Sequence, residues 1–382
     1  MASLLTTTFP WRNSNQFNLH VDGKQFFPGM LAAIRSAQQT ICLEMYLCGS
    51  GNVFSEFRDA LIDAALRGVA VRVLLDDFGS LQVHHHDREL LLNAGVQLKF
   101  YNPLDWRRGL KNLLRNHRKV LIIDHHAAFT GGAGLIDEFV SGDRGAPAWH
   151  DVMLEVQGPV VADWQQLFDR TWFGIRKHLA LRRVRSEVLQ PRDGEHAAGA
   201  GRVVASYGPQ AHEVLQSLHR RLKTARHRAW LVTPYFMPSW KLRQRLIKAA
   251  HRGVDTRVLV PGVHTDHPAL RQASRRYYSK LLREGVRIFE YQPRFIHAKI
   301  ALCDDWISVG STNFDRWNVR WNLDANQEAG DHDLCAQLAA MLDADFAHSV
   351  ELKQEDWQHR PWLERFAEWA TGVLERWSGR LR

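Results

Sequence analysis

One pattern occurs twice in this chain. His117-Arg-Lys119-Val-Leu-Ile-Ile-Asp124 is answered far downstream by His297-Ala-Lys299-Ile-Ala-Leu-Cys-Asp304, and a pair of small residues follows each, Gly131-Gly132 and Gly310-Ser311. The apolar run after each lysine has strand character. Residues two apart on a strand share a face, so His117 projects with Lys119 and His297 with Lys299. An imidazole beside an ammonium holds a phosphate: the lysine neutralises a non-bridging oxygen while the histidine attacks phosphorus or passes a proton. One such pair is unremarkable on a surface. Two copies with the same aspartate spacing argue against chance. Asp124 and Asp304 stand an odd number of residues from their histidines and face away on a regular strand. They read as structural partners within the motif, not as bases.

The repetition extends beyond the motif. Arg67-Gly-Val-Ala-Val-Arg-Val-Leu-Leu75 parallels Arg252-Gly-Val-Asp-Thr-Arg-Val-Leu-Val260, and Ala94-Gly-Val-Gln-Leu-Lys-Phe-Tyr-Asn-Pro103 parallels Glu284-Gly-Val-Arg-Ile-Phe-Glu-Tyr-Gln-Pro293. Each unit reads helix, strand, helix, strand, motif strand. Helices over Phe54–Leu66 and Trp240–His251 end ahead of Gly68 and Gly253, as glycine after a helix predicts. Alternating strands and helices imply an α/β fold with helices on the faces of a parallel or mixed sheet. At 382 residues the duplication means two lobes, each with its own core. The predicted organisation is a first lobe over 1–185, a linker over 186–201 marked by Pro191, Asp193-Gly194 and Ala197-Ala-Gly-Ala-Gly201, a second lobe over 202–355, and a C-terminal helix over 356–382.

The paired motif resembles that of the phospholipase D superfamily. The resemblance runs from about Phe17 to Asp331 and is carried also by Ile41-Cys-Leu-Glu-Met-Tyr46, Val73-Leu-Leu-Asp76, Thr233-Pro-Tyr-Phe236 and Gly310-Ser-Thr-Asn-Phe-Asp315. Among its branches, the chain is most similar to bacterial cardiolipin synthases without N-terminal membrane spans. The resemblance implies two phospholipase D-like lobes, each a mixed, mostly parallel sheet flanked by helices.

One histidine attacking phosphorus needs a second group to protonate the leaving oxygen. The economical arrangement therefore sets the motifs face to face, with the active site at the lobe interface. The residues alone do not decide which histidine attacks. The resemblance implies His117 as nucleophile and His297 as general acid, then base. Lys119 and Lys299 would clamp the phosphoryl oxygens. Gly131, Gly132, Gly310 and Ser311 would allow close backbone approach to phosphate, and Asn313 would donate a further hydrogen bond. Relatives carry an acid downstream of each motif that crosses to the opposite histidine. Asp324 would so orient His117, and Asp151 would orient His297. Glu44 and Tyr235, at the ends of the first strands of the two lobes, are candidates for the pocket wall. The first motif departs from the family pattern at Gly134, where many relatives have asparagine. The second has one residue fewer between Asp304 and Gly310, which shortens the turn at Asp305-Trp306.

Net charge of +9 and a pI near 9.6 suit a polyanionic partner, nucleic acid or anionic membrane. Between Pro103 and His117 the first half carries an insertion, with Trp106, Leu110, Leu113 and Leu114 among Arg107, Arg108, Lys111 and Arg115. It reads as a headgroup or membrane contact or as a packed loop. The C-terminal segment sets Trp362, Phe366, Trp369, Val373 and Trp377 among arginines, the pattern of an interfacial helix or of one docked on the second lobe. Its 14 tryptophans fit a bilayer interface or a core. No run of about 18 apolar residues is present, and Met1–Pro10 is not a signal peptide. Cys42, Cys48, Cys303 and Cys335 have neither disulfide nor zinc spacing and read as reduced thiols in a cytoplasmic setting. His84-His85-His86 and His125-His126 lack ligand spacing, so no metal is expected, and no cofactor.

The leading reading is phosphatidyl transfer to phosphatidylglycerol at an anionic phospholipid membrane, peripheral on the cytoplasmic face of a bacterial cell. A phospholipase D that passes the group to water shares every residue named. A nuclease fits the charge but not the Leu and Trp insertion, so no nucleic-acid partner is expected. Six intact motif residues argue against a catalytically dead scaffold.

Overall fold

The computed structural model describes residues 8–142, 145–174, 199–207, 213–315 and 321–360. The first half opens with β1 (Gln16–Val21), α1 (Gly23–Ser36), β2 (Thr40–Met45), α2 (Asn52–Leu66), β3 (Ala70–Asp76), α3 (His85–Asn93) and β4 (Gln97–Tyr101). A two-residue strand, β5 (Arg115–Asn116), precedes motif strand β6 (Val120–Ile123), which turns back as β7 (Ala127–Gly131). β8 (Val152–Gln157) and α4 (Val161–Phe173) close the half. The strands other than β5 form one sheet in the order β1-β8-β7-β6-β2-β3-β4.

The second half repeats the plan. It comprises β9 (Ala200–Tyr207), α5 (Glu213–Thr224), β10 (Arg228–Val232), α6 (Trp240–His251), β11 (Asp255–Pro261), α7 (Pro268–Arg275), α8 (Tyr278–Arg283), β12 (Arg287–Tyr291), β13 (Ile300–Cys303), β14 (Trp306–Gly310), β15 (Asn322–Gly330), α9 (His332–Ala347), β16 (Ser349–Leu352) and α10 (Gln354–Gln358). Its sheet runs β16-β12-β11-β10-β13-β14-β15, with β9 and the visiting β5 both on β15.

Both sheets are mixed, but the expectation of mostly parallel pairing holds on one flank only. β2-β3-β4 and β10-β11-β12 run parallel because a helix returns the chain between successive strands. The motif strands are instead antiparallel to both neighbours. Their chain reverses in tight turns that leave no room for a crossover helix. The first turn spans Asp124-His125-His126, with Ile123 paired to Ala127. The second is only Asp304-Asp305, with Cys303 paired to Trp306, the shortening expected from the missing residue. Asp124 and Asp304 take left-handed φ of 50° and 49° to make these reversals.

Period-two alternation divides the motif strands between two cores. On β6, Val120 and Ile122 face the junction of the halves while Leu121 and Ile123 face α1 and α2. On β13, Ile300 and Leu302 face the junction while Ala301 and Cys303 face the outer helices. The junction is itself a hydrophobic core that also takes in Trp164 of α4, Val309 of β14, Ala325 of β15 and Leu338 of α9. Trp164 Nε1 donates to Gln327 Oε1 across it at 2.8 Å. The halves therefore share a core as well as having one each.

Ala200 and Gly201, assigned to the linker, already belong to β9. The rest of that linker up to 198, and residues 361–382 of the expected C-terminal helix, lie outside the described residues. Half of the described tryptophans are in the core: Trp164, Trp172, Trp230, Trp306 and Trp357 are buried, whereas Trp106 and Trp240 are exposed. All four cysteines are buried and unbonded.

Candidate active site

The halves exchange backbone as well as side chains. β5 pairs with the start of β15, and the His117 amide donates to Leu323 O at 2.9 Å. In the other direction, the His297 amide donates to His150 O at 2.7 Å. The next residue along each accepting strand is an aspartate, so each histidine is brought alongside an acid of the opposite half. His117 Nδ1 lies 2.9 Å from Asp324 Oδ1, and His297 Nδ1 lies 2.7 Å from Asp151 Oδ2. These are the crossed pairs expected from the resemblance. All four side chains are buried.

The two imidazoles are not held alike. His117 Nδ1 also faces Ser311 O at 3.0 Å. A carbonyl only accepts, so Nδ1 carries the proton and Nε2 keeps a free lone pair. His297 Nδ1 meets only Asp151 and the ammonium of Lys299, whose Nζ stands 2.9 Å from both ring nitrogens. Lys119 Nζ donates to His117 O at 2.8 Å, and Lys299 Nζ also donates to His297 O. Burial, and then the adjacent Lys119, pull His117 down to about 4. Burial and Lys299 pull His297 down to about 4. Both rings are thus neutral at ordinary pH. Burial and the charge of Lys299 lower Lys119 to about 7, and burial lowers Lys299 to about 8. Burial by itself would raise the Asp151 carboxyl, but the His297 hydrogen bond and Lys299 outweigh it and hold it below the usual range. The site gathers two lysines, two neutral imidazoles and, behind them, two aspartates, all buried. An anionic phosphodiester would favour protonation of all four bases.

The motif aspartates serve elsewhere. Asp124 accepts from the amides of Gln38, Gln39 and Thr40 at 2.7–2.8 Å, and Asp304 from those of Arg226, His227 and Arg228 at 2.9–3.0 Å. Each thereby ties the loop entering the first strand of its own half to the far end of the motif strand. Both stand apart from the imidazoles, in keeping with a structural part.

The glycines also have a different reason from the one expected. A Cβ on Gly132 would fall 2.4 Å from Asp151 Oδ2, one on Gly131 2.3 Å from Val152 O, and one on Gly310 2.4 Å from Ala325 O. The small residues let the acid-bearing strands close on the motif hairpins. Ser311 fills the position opposite Gly132 and donates from Oγ to Asp324 Oδ1 at 2.9 Å. Gly134, where many relatives carry asparagine, has no room for one: its Cβ would stand 2.3 Å from Leu47 O. Asn313 in the second half is buried, and its Oδ1 has no partner among the described residues.

With both motifs assembled, residues 30–172 and 218–346 match the family described as cardiolipin synthase, PLD-like domain. The chain belongs to this cardiolipin synthase family. Cardiolipin synthase A of Pseudomonas aeruginosa is 32% identical over 361 residues, 93% of this chain and 72% of that protein. Cardiolipin synthase B of Salmonella typhimurium is 35% identical over 321 residues, 83% of this chain and 76% of that one. Among solved structures, phosphatidylserine synthase from Haemophilus influenzae Rd KW20 superposes with a TM-score of 0.68 at 15% identity, covering 98% of this chain and 95% of that one; this likeness is one of fold.

In this member of the cardiolipin synthase family, Glu44 is not on the pocket wall. It is buried and accepts from Asn116 Nδ2 at 2.6 Å, with Arg118 Nη1 at 3.6 Å. An acid ending a strand beside the motif reads as a pocket residue only until the insertion is seen to fold back over it. Glu44 and Asp76, which accepts the Asn116 amide at 2.8 Å, hold the segment that delivers His117. Tyr235 donates from its hydroxyl to Asp266. Three participants escaped sequence reasoning. Tyr46 sets its ring edge-on to His117, centroids 4.7 Å apart. Its place two residues after Glu44 was the available signal. Asp266 lies in the loop after β11 with no motif to mark it. His150 bridges Asp22 Oδ1 at 2.7 Å and Asp345 Oδ2 at 3.2 Å, tying α1 to α9 directly behind Asp151. His85 and His86 lie exposed on α3, and His125 and His126 in the β6–β7 turn.

Proposed function

We propose that this protein is a cardiolipin synthase working by phosphatidyl transfer through a phosphohistidine. The observation that carries the reading is the pair of neutral imidazoles, each with Nδ1 on a carboxylate from the other half. His117 Nε2 attacks phosphorus, and the bond from phosphorus to the headgroup oxygen breaks. His297, protonated as the anionic phosphodiester arrives, gives its proton to the departing alcohol. A hydroxyl of phosphatidylglycerol then enters, surrenders its proton to His297 and displaces His117, leaving cardiolipin. With phosphatidylglycerol as donor, the alcohol released is glycerol. Lys119 and Lys299 offset the charge gathering on the phosphoryl oxygens in both steps.

The substrate is embedded in a bilayer, and the rim of the site suits one. No described helix is long and apolar enough to cross a membrane. The loops after β3, β4, β10 and β11 instead leave Phe78, Leu81, Leu104, Trp106, Leu110, Trp240 and Val263 exposed, Trp106 at 85% and Leu110 at 54%. The Trp106–Leu113 insertion is two short 3-10 turns broken at Gly109, with Arg107 over the Trp106 ring at 5.1 Å and Lys111 beside it. Apolar anchors interleaved with cations fit an anionic leaflet. Peripheral attachment on the cytoplasmic face of a bacterial membrane agrees with the four unbonded cysteines. The test is to incubate the purified protein with labelled phosphatidylglycerol vesicles and separate the lipids. Cardiolipin supports the reading. Phosphatidic acid alone makes the protein a hydrolase, and turnover of DNA but not lipid makes it a nuclease.

A further inference from the structure

The two sides of the site are built differently, and the difference concerns the alcohol. On the His117 side, the carboxylates at the end of β3 are used by backbone: Asp76 accepts from the amides of Asn116, Phe78 and Gly79, and Asp77 from that of Leu104. On the His297 side, the corresponding loop after β11 presents Asp266. Its Oδ2 takes the hydroxyl proton of Tyr235, while its Oδ1 is buried with no hydrogen-bond partner among the described residues. Asp266 is close enough to the motif for its charge to raise the proton affinity of both His297 and Lys299. The charges acting most on His117 are instead those of Lys119, Asp324 and Lys299. Burial, then Asp266, pushes the Tyr235 phenol well above its ordinary value, so Tyr235 stays a donor.

A buried carboxylate oxygen without a donor costs free energy unless a ligand supplies the proton. We propose that Asp266, held by Tyr235, is the subsite for the second hydroxyl of the alcohol that enters and leaves beside His297. This rests on the transfer mechanism above, in which His297 serves the alcohol and His117 the phosphorus. The ligand is a neutral polyol, the glycerol headgroup. The site thereby favours a diol over water: one diol reaches His297 and Oδ1 together, where water needs two molecules. A site built around a substrate hydroxyl discriminates strongly against an acceptor that lacks it.

The experiment measures partition on vesicles of phosphatidylglycerol, with isotopically labelled glycerol or 1-propanol added as competing acceptor so that transfer to glycerol is read as label entering the lipid, for the full-length protein and for Asp266→Asn and Tyr235→Phe. The wild-type protein should prefer glycerol to propanol. In Asp266→Asn, the ratio of cardiolipin to phosphatidic acid should fall at least about tenfold, as expected for losing a hydrogen bond to a charged group, and the preference for glycerol should vanish. Tyr235→Phe should move both ratios the same way by less, and it decides the matter if Asp266→Asn does not fold. Equal loss of transfer and hydrolysis, with the glycerol preference kept, overturns the subsite and leaves Asp266 a structural partner of Tyr235. Wild-type protein that hydrolyses lipid but transfers to neither alcohol overturns the transferase reading and the subsite together.

Discussion

Replacing Asp151 and Asp324 one at a time by asparagine separates the orientation of an imidazole from the charge behind it. Both aspartates accept from a histidine Nδ1, at 2.7 and 2.9 Å, but only His117 has a second acceptor, Ser311 O at 3.0 Å. In Asp324→Asn, that carbonyl still demands a proton on Nδ1, so the nucleophilic Nε2 lone pair survives. What is lost is the difference between a charged and a neutral acceptor, about 1–2 kcal/mol, or roughly 5- to 30-fold in rate. In Asp151→Asn, no other acceptor among the described residues holds a proton on Nδ1, since the Lys299 ammonium beside it can only donate. The amide can donate to Nδ1, the proton moves to Nε2, and a base that must accept there is lost. Where an amide traps the wrong tautomer in this way, the cost reaches about 10⁴-fold. Asp151→Asn should therefore be slower than Asp324→Asn by up to about three orders of magnitude. The assay is initial-rate cardiolipin formation on saturating vesicles, with circular dichroism melting to establish that both variants are folded. Equal losses, or a larger loss in Asp324→Asn, would refute the reasoning from Ser311 O.

Three further outcomes are expected. His117→Ala should stop both half-reactions, whereas His297→Ala should accumulate an acid-labile phosphatidyl adduct on His117 that alkaline-quenched mass spectrometry detects; an adduct on His297 in the His117→Ala protein would reverse the roles. His150, flanked by Asp22, Asp345 and Arg294, is raised to about 9 from 6.5 because its hydrogen bonds to the two carboxylates outweigh burial; its stabilisation is full below pH 6.5 and fades as pH climbs through 9, so the melting-temperature gap between wild type and His150→Gln should shrink over that window, and a constant gap would contradict the ion pairing. Trp106→Ser with Leu110→Ser should weaken sedimentation with anionic vesicles several-fold, while hydrolysis of a short-chain soluble phosphodiester stays near wild type; unchanged sedimentation would remove the insertion from the membrane face.

The duplication was legible without coordinates because its signals are local. Strand parity read His117 with Lys119 and His297 with Lys299, although all four stand just before β6 and β13 and the aspartates lie in the turns beyond those strands. Gly68 and Gly253, at φ of 90° and 83°, mark helix ends that composition also marks. The missing residue before Gly310 correctly forecast a shorter turn. Local signals fail where partners come from another strand. Mostly parallel pairing was wrong for the motif strands because a hairpin and a crossover both read as strand, loop, strand until the turn is seen to be too tight for a helix.

The acids behind the histidines, 207 and 146 residues away in the chain, were reachable only through family resemblance. What brings them in is β5 crossing onto β15 and His150 accepting the His297 amide, an exchange between halves that no window of sequence contains. The same exchange gives Gly132 its reason, since the oxygen a side chain would strike belongs to Asp151 across the hairpin. It also buries Glu44 beneath Asn116. Periodicity reports which face a residue takes; only the packing of one half on the other decides what that face meets.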